Sequence, residues 1–259
     1  MTDTILAGSV AVVTGGSRGI GFATAARLCE SGASVAFCGR AEDVGRDAER
    51  RLRDLGHDAA FFPCDVADES SVESFLGAAR QRFGDVDILV NNAGVNAIFD
   101  AATMTIAQWD EFFAVDLRSA WLTVKHLIDG MKERRRGSII NVSSLHGFAT
   151  TPNFFPYAAA KSGLVGLTRS MALDFGEWDI RVNCVAPGFV RTRLVQESID
   201  RFDDRAAAEQ AMVRGVALGR IAEPSEIAEV IHFFASPASS YVTGASLLVD
   251  GGLTARRAG

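Results

Sequence analysis

The chain has 259 residues, of which 48% are hydrophobic and 22% charged, so it can form an extensive core and is not a disordered polypeptide. The formal net charge is −6, and its one basic run is Arg134-Arg135-Arg136, so we do not expect nucleic-acid binding. The four cysteines are scattered without a Cys-x-x-Cys pair, which predicts neither disulfides nor a metal site.

Short apolar runs rich in β-branched residues alternate with amphipathic helical stretches along the whole chain. Strictly alternating β and α units with continuous apolar strands form parallel sheets covered on both faces. We therefore predict an α/β fold, a doubly wound parallel sheet of about seven strands, within a single domain spanning residues 1–259. The predicted strands are 10–13, 34–38, 59–63, 88–91, 138–142, 181–185 and 246–249, and the predicted helices are 19–31, 41–55, 70–83, 108–132, 156–175 and 224–235.

No apolar run approaches the 18 residues expected of a membrane-spanning helix. The first predicted strand begins at about Ser9, which leaves no room for a signal peptide. We therefore expect a cytoplasmic protein that does not bind membranes.

The first predicted strand leads into a glycine-rich turn that is followed directly by a helix. The turn has the sequence Thr14-Gly15-Gly16-Ser17-Arg18-Gly19-Ile20-Gly21. Glycines in such a turn let the backbone approach a pyrophosphate, whose charge the helix N-terminus stabilises. With a strand on each side of this helix, the pattern predicts a dinucleotide-binding site.

The end of the second predicted strand indicates which dinucleotide is bound. An NAD site usually has an Asp or Glu about 20 residues past the glycines, where it accepts hydrogen bonds from the ribose 2′-hydroxyl. Gly39 and Arg40 occupy that place here, and Arg18 lies inside the glycine turn. Two guanidinium groups without a carboxylate suit a 2′-phosphate, so we predict NADP(H), with NAD(H) as the alternative.

A tyrosine and a lysine lie four residues apart in a predicted helix, downstream of a pair of serines. Tyr157 and Lys161 therefore project from one helical face. A free phenol has a pKa of about 10, and a neighbouring ammonium lowers it by favouring the phenolate. A hydroxyl such as that of Ser144 can hold the same substrate oxygen. A Tyr-x-x-x-Lys pair alone is often only a surface feature, but with the dinucleotide pattern it predicts proton transfer to an alcohol or carbonyl.

Taken together, these motifs resemble the short-chain dehydrogenase/reductase family over nearly the whole chain, including its 3-oxoacyl-carrier-protein reductase and sugar or alcohol dehydrogenase members. The resemblance implies a Rossmann-like fold and hydride transfer between a nicotinamide cofactor and a secondary alcohol or ketone. The matching motifs are Thr14-Gly-x-x-x-Gly-x-Gly21, Asp65-Val66, Asn91-Asn92-Ala93-Gly94, Ser144, Tyr157-x-x-x-Lys161, Arg181-Val182-Asn183, Pro187-Gly188 and Val249-Asp250-Gly251-Gly252.

The resemblance also implies roles for individual residues. Tyr157 would be the general acid/base, Lys161 would bind the nicotinamide ribose and lower the tyrosine pKa, and Ser144 would orient the substrate oxygen. The implied cofactor contacts are Gly15, Ser17, Arg18, Gly19, Ile20 and Gly21 at the phosphates and adenosine ribose, Asp65 and Val66 at the adenine, Asn91, Ala93 and Gly94 under the ribose and nicotinamide, and Pro187, Gly188, Val190 and Thr192 at the nicotinamide.

One position departs from the family pattern. Where the family usually has an asparagine that steadies a water and the proton relay of the lysine, this chain has Asp116. A carboxylate accepts hydrogen bonds but cannot donate them, and its charge would favour a charged lysine and oppose the tyrosinate. Asp116 either changes the proton relay through its carboxylate chemistry, or it binds the same water as an asparagine would, because the two side chains are nearly isosteric.

Residues between the catalytic serine and tyrosine should border the substrate, a small alcohol or carbonyl compound. The candidates are His146, Phe148, Asn153, Phe154 and Phe155, although aromatic residues also serve as core filler. The polar, helix-prone segment at about 193–219 is expected to be a lid over the site. Arg191 and Arg193 at its mouth fit ordinary solvated charges better than a substrate site.

Two alternative functions fit the sequence less well than an NADP(H)-dependent oxidoreductase. An NAD-linked sugar or polyol dehydrogenase lacks support at Gly39, and a non-catalytic nucleotide sensor would not need an intact Ser144, Tyr157 and Lys161. Enoyl reductases of the wider family use a longer Tyr-to-Lys spacing, which is absent here.

Family members are often tetramers, so we expect a homo-oligomer, a tetramer or dimer, formed through helices 108–132 and 156–175.

Overall fold

Seven strands form one parallel sheet in the computed structural model, which describes residues 4–96 and 98–255. The strands are β1 (Val10–Thr14), β2 (Ser34–Gly39), β3 (Ala59–Pro63), β4 (Ile88–Asn91), β5 (Gly137–Val142), β6 (Ile180–Pro187) and β7 (Ser246–Val249). Their order across the sheet is β3-β2-β1-β4-β5-β6-β7. The prediction of a seven-stranded parallel sheet is confirmed, with strand ends within two residues of those expected.

Helices cover both faces of this sheet. They are α1 (Gly19–Glu30), α2 (Glu42–Asp54), α3 (Glu69–Phe83), α4 (Ile106–Phe113), α5 (Ser119–Arg134), α6 (Phe155–Phe175), α7 (Arg193–Ile199), α8 (Arg205–Val213) and α9 (Pro224–Ala235). Within the described ranges, no helix combines the length and apolar character needed to cross a membrane.

The alternation of side chains along β1 shows how the two faces are filled. Ala11 and Val13 belong to a core cluster with residues of α1, α2 and α9. Val10 and Val12 belong to a second cluster with residues of α3, α5 and α6. Because successive strand residues point to opposite faces, a strand buried on both sides must be apolar throughout.

The strand order reverses beside β1, which lies between β2 and β4. In open α/β sheets, ligands bind in the crevice at the carboxyl ends of the strands at such a reversal. Thr14 at the end of β1 holds the crevice together, because its Oγ1 accepts hydrogen bonds from the backbone N–H groups of Asn92 and Ala93, both at 3.0 Å. The Asn92 side chain donates in turn to the carbonyl oxygens of Thr14 and Gly15, at 3.0 and 3.1 Å.

The structure corrects one predicted helix. The segment predicted as a single helix over 108–132 is divided by a π-helical turn, Ala114–Arg118, between α4 and α5. A capping box formed by Thr105 and Gln108 begins α4. A π turn contains one more residue than an α turn and recurs at functional sites, but hydrophobic periodicity does not reveal it.

Candidate active site

The loop after β5 and the helix α6 are joined at the predicted catalytic residues. The Ser143 hydroxyl donates to the backbone carbonyl of Lys161 at 2.9 Å. Ser144 is 7% exposed, and its Oγ accepts from the backbone N–H of His146 at 3.2 Å. The Lys161 ammonium lies 5.5 Å from the centre of the Tyr157 ring. The Tyr157 hydroxyl has no hydrogen-bond partner in the described part of the chain and is therefore available to a ligand.

Asp116, on the π turn, completes the surroundings of the lysine. Its Oδ1 lies 3.3 Å from Lys161 Nζ, and its Oδ2 accepts from the backbone N–H of Val95 at 3.0 Å. Asp116 and Lys161 are 2% and 4% exposed. The lysine also donates to the carbonyl of Val142 at 3.4 Å. The predicted departure from the family pattern therefore lies in direct contact with the predicted catalytic lysine.

Burial and charge act in opposite directions on this pair. Burial lowers the pKa of Lys161, but the Asp116 carboxylate and Tyr157 outweigh it, so the net pKa is raised. Burial raises the pKa of the Asp116 carboxyl, and although Lys161 and the Val95 N–H oppose that shift, the net pKa remains raised. We assign the ionic form to the pair because a buried ammonium is strongly disfavoured without a counter-charge.

An aromatic wall lies beside the tyrosine. The His146 imidazole stacks on Phe154 with 4.4 Å between ring centres and meets the Tyr157 ring edge-on at 5.6 Å. Its Nδ1 is 3.0 Å from Thr150 Oγ1, and burial lowers the pKa of the imidazole. His146 and Phe154 thus lie beside Tyr157, and their contact with the substrate stays a prediction.

The other two phenylalanines predicted at the substrate are placed elsewhere. Phe155 packs against Trp109 of α4 with 5.5 Å between ring centres, and Trp109 in turn stacks on Phe113. Phe148 is 43% exposed and makes no ring contact with the described aromatic residues. Neither makes a ring contact with Tyr157; for Phe155 the reason is that consecutive residues at the start of α6 point to different sides.

The glycine turn forms a tight cradle at the strand-order reversal. Gly15 has a φ of +65°, and a Cβ on Gly21 would lie 2.2 Å from the Gly15 carbonyl oxygen. A Cβ on Gly94 would lie 2.9 Å from Asp116 Oδ1 and 3.2 Å from Lys161 Nζ. Close backbone packing therefore requires glycine both in the turn and beside the Asp116–Lys161 pair, which fits a dinucleotide-binding crevice.

Ser17 and Gly39 mark the other end of the cradle. The Ser17 hydroxyl is buried and lacks a hydrogen-bond partner among the described residues. A Cβ on Gly39 would lie 2.8 Å from it. Arg18 and Arg40 are both exposed and make no ion pair within the described ranges. An unsatisfied hydroxyl and two unpaired guanidinium groups beside a glycine cradle fit a phosphorylated ligand.

The remaining predicted cofactor residues contribute differently. The Asn91 side chain points into the core, where it is 6% exposed and donates to Asn141 Oδ1 at 2.9 Å. Val66 packs in the core beneath its loop, and one oxygen of Asp65 accepts from the N–H of Ala67. Thr192 precedes α7 and lies against Gly19, while Pro187 ends β6 and is followed by Gly188 and Val190.

Sequence analysis missed three residues that shape the site. The motifs contain Thr14 and Asn92 without giving either a role, yet their side chains join the glycine turn to the end of β4. Thr150 holds the His146 ring through Nδ1. A threonine that ends a buried strand immediately before a glycine turn was the available signal for Thr14.

A family model described as enoyl-(acyl carrier protein) reductase matches residues 15–254. The chain is also 42% identical over 247 residues to a cis-4-hydroxycyclohexanecarboxylate dehydrogenase of Sinomonas cyclohexanicum, covering 95% of this chain and 96% of that protein. The chain belongs to the short-chain dehydrogenase/reductase family.

Other members of the short-chain dehydrogenase/reductase family are similarly close. A 3-oxoacyl-acyl-carrier-protein reductase of Chlamydia muridarum is 36% identical over 97% of this chain and 99% of its own. A crystal structure of a variant of actinorhodin polyketide ketoreductase with NADPH has a TM-score of 0.91 at 33% identity, covering 95% of this chain and 97% of that chain. The protein is therefore an oxidoreductase of a family that acts on alcohol and ketone groups and binds NAD(P)(H).

Proposed function

We propose that this protein is an NADP(H)-dependent carbonyl reductase or alcohol dehydrogenase in which Tyr157 is the general acid/base. The observation that carries the proposal is the buried Lys161 ammonium 5.5 Å from the Tyr157 ring, beside a tyrosine hydroxyl without a partner in the described ranges. A nearby positive charge favours the phenolate, which allows a phenol to exchange protons near neutral pH.

The proposed mechanism assigns one task to each side chain. The bound cofactor supplies or accepts the hydride. Tyr157 donates a proton to the substrate oxygen during ketone reduction and removes it during alcohol oxidation. Ser144, held by the loop after β5, hydrogen-bonds the same oxygen and fixes its position. Lys161 stabilises the negative charge that Tyr157 carries after giving up its proton.

The proposed preference for NADP(H) rests on the end of the glycine cradle that Ser17 and Gly39 mark. Gly39 leaves no carboxylate to accept from a ribose 2′-hydroxyl, and Arg18 and Arg40 are free of ion pairs with described residues. The polyketide ketoreductase with NADPH supports the same preference. An NAD-linked sugar or polyol dehydrogenase is the alternative that an opposite cofactor preference would favour.

Calorimetric titration with NADPH and NADH at fixed salt tests the cofactor. We expect NADPH to bind at least tenfold more tightly, about 1.4 kcal/mol. Arg40→Ala should remove most of this difference in affinity without weakening the binding of NADH. Arg50→Ala, which deletes another exposed arginine, on α2, should leave it unchanged. NADH binding as tight as NADPH binding in the unmodified protein would reject the 2′-phosphate site.

The tyrosine is tested by Tyr157→Phe, which removes only the hydroxyl oxygen. Because proton transfer contributes roughly 10²–10⁴-fold to such reactions, kcat should fall by about 100-fold or more. The affinity for NADPH should remain the same. Substrates for the assay are cis-4-hydroxycyclohexanecarboxylate, suggested by the Sinomonas cyclohexanicum relative, and a 3-oxoacyl thioester, suggested by the Chlamydia muridarum relative. Full activity in the phenylalanine variant would rule out the proposed role of Tyr157.

The segment 193–219 and the long helices have proposed roles as well. We propose that α7 and α8 form a lid, because they follow the predicted nicotinamide residues and α8 has no buried residue of its own. We also propose a homo-oligomer assembled through α5 and α6. Exposed small residues on α6 support this assembly.

A further inference from the structure

The charge beside the proposed catalytic lysine distinguishes this chain from the family pattern. Asp116 is buried, and its two oxygens face Lys161 Nζ at 3.3 Å and the backbone N–H of Val95 at 3.0 Å. The π turn directs the side chain toward both groups at once. An asparagine at this position would meet the same two neighbours.

Both neighbours of Asp116 are hydrogen-bond donors. A protonated carboxyl group would therefore have no acceptor for its own O–H, whereas a carboxylate can accept from both. An asparagine amide has only one acceptor oxygen, so its NH2 group would face either the lysine ammonium or the Val95 N–H. The contacts thus select a negatively charged carboxylate, and an amide is not an equivalent replacement.

Few other charges bear on the tyrosine. Besides Asp116 and Lys161, the titratable groups that face this pair from the described elements are His146, on the loop after β5, and Cys184 of β6. Burial lowers the pKa of His146 and raises the pKa of Cys184, so both remain uncharged near neutral pH. The field at the Tyr157 hydroxyl is therefore set chiefly by one positive and one negative charge.

We propose that Asp116 is the direct counter-ion of Lys161 and a positioning residue whose charge partly offsets the attraction of the lysine for the Tyr157 phenolate. The assignment of this tyrosine as acid/base rests on the proposed function, but the electrostatic effect on its hydroxyl does not. Compared with an amide at this position, the carboxylate disfavours the Tyr157 phenolate, the form that accepts the proton of an alcohol. We therefore expect alcohol oxidation to be favoured on the alkaline side.

The tyrosine can be titrated directly because the chain contains only two, Tyr157 and Tyr241. Tyr241 is fully exposed, so Tyr241→Phe removes it at little structural cost and leaves Tyr157 as the sole phenol. Near-ultraviolet absorbance of tyrosinate then reports the Tyr157 titration without cofactor, substrate or turnover. Far-ultraviolet circular dichroism at each pH establishes that the protein stays folded.

Asp116→Asn in this background should lower the titration midpoint by about one pH unit or more, because at an effective dielectric constant of about 20 a unit charge shifts a pKa by about three units at about 4 Å and by about one unit at about 12 Å. Asp110→Asn makes the same charge change on the exposed surface of α4 and should leave the midpoint in place. If the asparagine variant does not fold, Asp116→Ser removes the carboxylate with a smaller side chain.

An unchanged midpoint would mean that Asp116 carries no charge that acts on Tyr157, and it would overturn the proposal. A raised midpoint would mean that Lys161 loses its own charge without Asp116, and it would overturn the proposed offset of the attraction between the lysine and the phenolate. In an active enzyme, the acidic limb of the kcat/KM profile for alcohol oxidation should shift by the same amount. A shifted phenol titration in a protein that oxidises no alcohol would instead refute the proposed function and leave the counter-ion assignment intact.

Discussion

His146 links the proposed catalytic tyrosine to the part of the substrate beyond the reacting carbon. Its Nδ1 bonds to Thr150 Oγ1, and its ring is held between Phe154 and Tyr157. Nε2 has no partner in the described part of the chain. A neutral imidazole fixed in this way presents one hydrogen-bonding nitrogen, suited to a second polar group on the substrate.

Replacing this imidazole by a phenyl ring separates hydrogen bonding from packing. His146→Phe keeps a ring to stack on Phe154 but removes Nε2. A hydrogen bond to a charged group contributes about 1.5–3 kcal/mol, so KM for 4-hydroxycyclohexanecarboxylate should rise roughly 10- to 100-fold. KM for cyclohexanol, which has no second polar group, should not change. Equal losses for both compounds in steady-state assays would show that His146 acts only through packing.

Individual residues also show how much of the site could be predicted from the sequence. Tyr157 and Lys161 could be predicted because helical spacing is local and places them on one face. The contact between Asp116 and Lys161 joins residues 45 positions apart and depends on the π turn, so only the family resemblance, and no local pattern, indicated that this charge acts on the lysine. Phe154 and Phe155 are neighbours with the same chemistry, yet only Phe154 lies beside Tyr157.

At the scale of elements, the strands were the easiest to predict. A strand covered on both sides is a short apolar run, and β1 and β4 are buried at every residue. The helices α7 and α8 were anticipated only as a helix-prone segment, because α7 buries Ile199 alone and α8 buries nothing. Without a buried face, a helix lacks the apolar periodicity by which sequence reveals it.

The π turn at Ala114–Arg118, which separates α4 from α5, shows a different limit on the prediction of helices from sequence. The apolar pattern continues through α4 and α5, so periodicity predicted one helix. The extra residue of the π turn is stabilised by contacts outside the helix, among them the Val95 N–H that donates to Asp116. Hydrogen bonds between distant parts of the chain do not appear in a local sequence pattern. The π turn could therefore not be predicted from the hydrophobic periodicity.

For the whole molecule, the surface of α6 indicates how copies would associate. Ala159, Ser162 and Gly166 are exposed on this helix, and nothing lies within 4 Å of the place where a Cβ on Gly166 would stand. Leu173 on the same helix is 86% exposed, and Trp121 on α5 is 45% exposed. Small residues let helices approach closely, and exposed large apolar side chains are costly to leave in water.

Two glycines in comparable helical settings provide a matched test of this assembly. Gly166 of α6 and Gly77 of α3 are both interior helix positions with open space where a Cβ would stand, so Glu is sterically tolerated in the subunit at either site. Light scattering should give an oligomeric mass for the unmodified protein and for Gly77→Glu. Gly166→Glu should give a smaller mass with unchanged circular dichroism, because a buried carboxylate at a helix pair is strongly unfavourable. An unmodified protein that is monomeric, or a Gly166→Glu variant of undiminished mass, would exclude α6 as the interface.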